Sequence, residues 1–576
     1  MTISPQSVPV GNPEGVDTES AATAVTPYVR NALWSRIKRA STAIFAPGES
    51  ADQDVPFEWF STKEVSEYFD ASHESQSFEA MDDKTYREID GASYARLLLN
   101  NRSIFARQFF EQRFRVGSKP DEAQAFAEIV MQLSTNDNAL DAIGMSVKPL
   151  LKAQQEVASV LFRPGVIAMP PDFARLRHLD ILGVGLCCIL AVWPSVTTLS
   201  ILLAYLVFSL CVQVRCYRFL KVWTNKRSAL QKLVATASNI QARCQSLPKG
   251  LLPSILMDQP RLEKVVVALE AGMLARSSIT AEYANLLFLY EYARATNESQ
   301  RVAAQLDELK EIYEAVSRLE LQFAISQRVR NGLLICRSTE THDGLVSFQG
   351  LLHPLISLPL ALNFNTRGRS LFISGQNGIG KSTLLRAVGL SVTVFRAFGY
   401  AHAQAATLPR VAVWSSMQVD DSVEEGRSLY MSELARASRL LEVGGQAQPV
   451  LFLVDELFRG TNYLESVAAC ASVLHSLSQQ NLVFDTSHNV VLATLLRERF
   501  DAVKLMKSEP SGLELVPGVL ITTNGVELMN AYQFESGVIA RANAIASWYA
   551  DYITHPENIS SSLVGDQEAS LSTEPR

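Results

Sequence analysis

Residues Gly375 to Thr383 read GQNGIGKST, and they fit G-x-x-x-x-G-K-[ST] with Gly375, Gly380, Lys381 and Ser382 in register. The run Ser370 to Ser374 before it has strand character, and Leu384 to Leu390 after it has helix character. A strand, a glycine-rich loop and a helix start aim successive backbone N–H groups at one point, where a triphosphate can sit. The residues expected at the phosphates are Gly375, Gly378, Gly380, Lys381, Ser382 and Thr383. Lys381 reaches for the β- and γ-phosphates, and the Ser382 hydroxyl is placed to hold Mg²⁺.

Downstream, Leu451 to Glu456 is an apolar strand that ends in two carboxylates. Asp455 is expected beside the phosphates as a metal ligand, directly or through water. Glu456, next to it, is expected to polarise an attacking water. A strand ending in Asp-Glu is a weak signal alone and a strong one after a P-loop. A second apolar strand, Asn481 to Phe484, leads into Thr486-Ser-His488, where His488 can sense a γ-phosphate.

A chain of 576 residues needs several domains to carry these motifs. Its net charge of −7 argues against a generally basic nucleic-acid coat and leaves local patches open. The seven cysteines lack metal or disulfide spacing and read as small buried hydrophobes. No charged residue occurs from Ile181 to Val214, whereas Arg175 and Arg177 precede that stretch and Arg215, Arg218 and Lys221 follow it. A bilayer span takes about 20 apolar residues, so the stretch is long for one span and short for two. Trp193-Pro194-Ser195 breaks it with turn chemistry. Positive charge at both ends predicts a transmembrane hairpin with both ends on the cytoplasmic side. The open alternative is a buried helical pair. Helix-type periodicity runs over 86–161 and 226–329.

Taken together, these residues resemble the MutS family of mismatch-repair ATPases. Asp455 to Thr461 is similar to that family's D-E-x-x-[RK]-G-T segment, and Asp420 to Glu433 to its signature, in which G-x-S-x-[FY]-M-x-E follows acidic residues. His353-Pro354 and Asn524 to Met529 resemble the opening and the end of its ATPase domain. The resemblance implies ATP and Mg²⁺ as ligands and a head-to-tail homodimer in which Ser428 of one subunit faces the nucleotide held by Lys381 of the other. It also implies that Asn377 holds phosphate or orders water, and that DNA is a partner. The P-loop departs from the family's form at Gln376, Gly378 and Ile379 and is closer there to transporter ATPases, but the LSGGQ signature of those is absent. No mismatch-reading module fits the segment before the helical region.

The expected fold is an α/β P-loop NTPase domain of ABC/MutS type, C-terminal to an all-α core and lever domain, with a transmembrane helical hairpin. The expected boundaries are a disordered N-terminus over 1–50, helical core over 51–175, hairpin over 176–221, core and lever over 222–332, ATPase domain over 333–556 and a disordered tail over 557–576. The expected protein is a MutS-like ATPase at the cytoplasmic membrane, anchored through 181–214. The alternatives are a soluble repair or recombination ATPase acting on branched or mismatched DNA, in the cytoplasm, and an ABC-like transport-associated ATPase that binds no DNA.

Overall fold

The computed structural model describes residues 54–72, 80–163, 179–269 apart from 246, 248 and 249, 290–417, 429–508, 512–520 and 525–554. The expected disordered termini and Ser428 lie outside the described residues.

The helical part is built around two buried helices. One is α3 (Ile104–Val116), preceded by α1 (Thr62–Ser72) and α2 (Asp83–Glu88). It is buried on nearly all sides, with Phe105, Phe109, Phe110 and Phe114 in the core. Two of its buried polar groups find partners across the core and along the helix: the Tyr313 hydroxyl donates to Gln108 Oε1 at 2.7 Å, and Arg115 meets Glu111 at 2.9 Å. After α4 (Pro120–Ser134), α5 (Asp137–Val147), α6 (Leu179–Val192), α7 (Val196–Cys244) and α8 (Gln259–Leu269), the second buried helix, α9 (Leu306–Arg330), packs on α3 and α4.

The expected membrane-spanning hairpin over 181–214 is corrected, and the membrane partner and membrane location that rested on it are withdrawn. Among the described residues no helix is long and apolar enough to cross a membrane. The Trp193-Pro194-Ser195 turn separates α6 from α7, and Ser195 and Thr198 cap the start of α7 in a reciprocal capping box. Over its 14 described residues α6 spans about 21 Å at the helical rise, against about 30 Å of hydrocarbon. Over its 49 residues α7 runs on from the apolar stretch to pack on α5 and α8. The tip exposes Val192, Trp193 and Val196, the kind of apolar surface that marks an interaction site.

The C-terminal part is an 11-stranded sheet. Its strands are β1 (Cys336–Thr341), β2 (Ser347–Leu351), β3 (Ala361–Asn365), β4 (Ser370–Ser374), β5 (Tyr400–Ala401), β6 (Ala405–Pro409), β7 (Ala412–Ser416), β8 (Val450–Asp455), β9 (Leu482–Thr486), β10 (Phe500–Ser508) and β11 (Gly512–Pro517). Their spatial order is β5-β1-β6-β2-β3-β11-β10-β4-β9-β8-β7. The run β10-β4-β9-β8-β7 is parallel throughout. Both faces of such strands are covered, so β4 and β8 read as unbroken apolar runs. The covering helices include α10 (Lys381–Phe398), α11 (Leu429–Gly444) and α12 (Tyr463–Leu477), and α13 (Ser536–Thr554) closes the described chain.

The two parts share one core. Phe110 of α3 stacks on Phe398 at the end of α10 with ring centroids 5.7 Å apart. A polar joint reinforces this contact beside β7. Asp82, which caps α2, pairs with Arg436 of α11, and Arg436 also donates to the Ser415 carbonyl and, at 3.0 Å, to the Thr85 hydroxyl. Glu88 accepts from the Ser415 hydroxyl at 2.5 Å and from Met417 N at 3.1 Å.

Burial alone would raise the Asp82 carboxyl, but the Arg436 guanidinium and the Thr85 hydrogen bonds outweigh it and hold Asp82 below its ordinary value. The stability that Asp82 contributes is therefore present above the unfolded-state value of about 3.9 and is lost as pH falls through the lower folded value. Replacing Asp82 by Asn should cost about 2 kcal/mol in urea unfolding at pH 7, because Arg436 keeps its burial and loses its partner. Glu442→Gln, in the exposed pair with Arg439, should cost less than about 0.5 kcal/mol. Equal losses would contradict a joint held by Asp82.

Candidate nucleotide site

The site lies where β4, β8 and β9 end, outside the carboxyl ends of parallel strands, the usual place for a ligand in an open α/β sheet. The loop from Gly375 to Gly380 leaves β4 and enters α10 at Lys381. It makes this turn by taking positive φ at Gly378 (77°) and Gly380 (104°), which a side chain at either position would resist. Gly375 is buried beneath the loop, Asn377 is exposed on it, and Ser382 and Thr383 are half-buried in the first turn of α10. A Cβ on Gly525 would lie 3.6 Å from Asn377 Nδ2, so the helix start at Gly525 rests against this loop.

Lys381 folds back over its own loop and donates to the carbonyls of Gly375 at 3.0 Å and Gln376 at 3.3 Å. Burial lowers its ammonium from the ordinary lysine value, against the opposing pull of Glu456 and Asp455. The Ser382 hydroxyl donates to Asp455 Oδ2 at 2.5 Å, and the Thr486 hydroxyl donates to the other Asp455 oxygen. The hydroxyl and carboxylate read from the sequence as metal ligands are thus hydrogen-bonded neighbours.

Glu456 follows Asp455 in a sharp turn at a φ of 53°, with Phe458 at 62°. Its N–H is fixed by the Thr486 carbonyl at 2.9 Å. One carboxylate oxygen lies 3.0 Å from His488 Nε2 and the other 2.9 Å from Arg459 Nε. His488, half-open to solvent at 37% exposure, also stands 3.5 Å from Lys381 Nζ. Of the site residues named from sequence, the P-loop residues, Asp455, Glu456 and His488 come together here.

Two neighbours received no role from the sequence. Arg459 pairs with Glu456 and also donates to the carbonyls of Glu456 and Asp455, both at 3.1 Å. Glu433 accepts from the N–H groups of Arg459 and Gly460. Both belong to segments quoted for their resemblance, and the spacing alone says nothing of their direction.

Beneath the site, Asp485 of β9 is fully buried and, among the described residues, neither carboxylate oxygen has a hydrogen-bond partner. Burial, reinforced by Asp455 and Glu456, pushes its carboxyl well above the ordinary value. A carboxyl raised in the folded state binds more protons than in the unfolded chain, so its contribution to stability falls as pH rises above about 3.9. Asp485→Asn, which cannot ionise, should therefore gain stability relative to the wild type as pH rises above about 3.9 in urea titrations. A difference that stays constant as pH rises would contradict a raised Asp485 carboxyl.

Comparison with known proteins matches residues 371–549 to the family model of MutS domain V. The chain is 26% identical over 278 residues to the DNA mismatch repair protein MutS of Thermosynechococcus vestitus, covering 45% of this chain and 31% of that protein. It is 26% identical over 255 residues to the endonuclease MutS2 of Carboxydothermus hydrogenoformans, covering 43% and 30%. With the MutS of Thermus thermophilus it shares 25% over 265 residues, covering 44% and 30%. The chain is thus similar to MutS-family proteins over this domain, and the matches span about a third of the relatives' own length.

Proposed function

We propose that the chain is a MutS-type ATPase that works as a homodimer on DNA. The reading starts from a MutS domain V at residues 371–549. The observation that carries it is the convergence of Lys381, the Ser382–Asp455 pair, Glu456 and His488 at one strand edge.

The residues fit a nucleoside triphosphate. The positive-φ glycines and the start of α10 leave loop N–H groups to receive phosphate oxygens. Lys381, now on loop carbonyls, would transfer its donors to the β- and γ-phosphates. Asn377 and Thr383 would complete the phosphate contacts. Ser382 and Asp455 would hold Mg²⁺, which when bound neutralises charge building on the phosphates.

Glu456 is the group that takes a proton from the attacking water. Its backbone is held by Thr486, and its carboxylate stands between Arg459 and His488, so it is oriented before any substrate arrives. His488 bridges the space between Glu456 and Lys381 and is placed to respond to the γ-phosphate.

Dimerisation is supported by the C-terminal helices. The Gly525–Ala531 helix and α13 pack on each other and expose Tyr532, Phe534, Val538 and Ile545, an apolar face of the sort that partner surfaces cover. Ser428 would face the partner's nucleotide, one residue before α11 begins. DNA is the partner favoured by the repair and endonuclease names of the relatives. Its contacts would be made chiefly to the phosphate backbone.

Lys381→Ala should abolish binding of a fluorescent ATP analogue. Glu456→Gln should keep that binding while turnover falls about 100-fold or more. Wild-type turnover by Glu456→Gln would reject Glu456 as the base. Duplex or branched DNA should raise the wild-type turnover, and the stimulation should vanish between roughly 50 and 200 mM salt, as counterion release requires. Turnover indifferent to DNA at low salt would remove DNA from the reading.

A further inference from the structure

The turn after β8 has an unusual shape for its sequence. Glu456 and Phe458 both hold positive φ, and neither is a glycine. Such turns persist only where the surroundings over-determine them. Glu433 supplies part of that constraint. It lies on the inner face of α11, only 5% exposed, and spends both carboxylate oxygens on the turn. Oε1 accepts from Arg459 N at 2.9 Å, and Oε2 accepts from Gly460 N at 3.1 Å. A charged acceptor spanning two successive N–H groups binds about twice as strongly as a neutral one.

The contact is close as well as charged. A Cβ on Gly460 would lie 2.8 Å from Tyr430 N and 3.0 Å from Tyr430 Cα, so the first turn of α11 sits directly on the loop. Glu433, Arg436, Asp455 and Glu456 line one small cleft. The helix that carries Glu433 is itself fixed. Arg436, one turn further on, ties it to Asp82, Thr85 and the Ser415 carbonyl.

From these contacts we infer that Glu433 is a positioning residue for hydrolysis: by holding the N–H groups of Arg459 and Gly460, it sets the direction of the Glu456 carboxylate. The inference rests on the role of Glu456 proposed above. Among the described residues the hydrogen bonds of Glu433 go to Arg459 and Gly460 and not to the P-loop, so its removal should spare the phosphate cradle and disturb the aim of Glu456 and of Arg459 beside it.

The test uses the full chain and reads kcat, KM and ATP affinity for Glu433→Ala, Glu433→Gln, Gly460→Ala and Glu456→Gln. Glu433→Ala and Gly460→Ala should each lower kcat about 10-fold or more, with ATP affinity within about two-fold of wild type. Glu433→Gln keeps an oxygen acceptor and the side-chain shape, and should recover part of that loss. The double variant Glu433→Ala with Glu456→Gln should turn over no more slowly than Glu456→Gln alone, since one acts through the other. A kcat for Glu433→Ala within two-fold of wild type would overturn the inference, as would a parallel loss of ATP affinity or additive losses in the double variant. If Glu456→Gln itself hydrolyses normally, the failure belongs to the role given to Glu456.

Discussion

The nucleotide site depends on one backbone constraint, the bend that carries the chain out of β8. A strand can deliver Asp455 to the candidate nucleotide site by running straight, but the next residue must turn to bring a second carboxylate to the same place. The chain does this with a positive φ at Glu456, at a cost on the order of 1 kcal/mol for a residue that bears a Cβ. The bend is held from three directions. Thr486 of the neighbouring strand takes the Glu456 N–H, Arg459 folds back on the carboxylate and the carbonyls, and Glu433 takes the N–H groups of Arg459 and Gly460. Release of any one leaves the strained turn with fewer reasons to keep its shape.

This local constraint is linked to the whole molecule by packing. β8 lies between β9, which brings Thr486 and His488, and β7, whose end docks on α2. α11 touches both sides, gripping the turn with Glu433 and the helical part through Arg436. Since Phe110 and Phe398 also stack across the same boundary, a shift of the helical part is felt at α11 as a change in packing, and a close-packed core transmits such changes. This is a physical route by which ATP hydrolysis and the helical arms could be tied.

That these groups come together was legible in the sequence, because a phosphate-binding reading leaves few choices of place. Gly375 to Ser382, the strand ending in Asp455-Glu456 and the His488 after the next strand are each demanded by position, so their spacing carries meaning. Glu433 and Arg459 were visible only as letters in a resemblance, because neither period nor spacing says which backbone groups a side chain will meet. The joint at Asp82 and Arg436 was not legible at all, since those residues come from distant parts of the chain. The membrane reading of 181–214 failed for a related reason. The turn at Trp193 to Ser195 was read correctly, but the sequence does not say what an apolar helix packs against, and α7 runs on past Val214 to pack on α5 and α8.

The central claim is that these residues form a hydrolytic centre for ATP. Its most direct measurement is phosphate release by the purified full chain with ATP, with and without Mg²⁺. The account predicts saturable release that stops when EDTA removes the metal. Release that persists in EDTA, or no release at any ATP concentration with Mg²⁺ and DNA present, would contradict it.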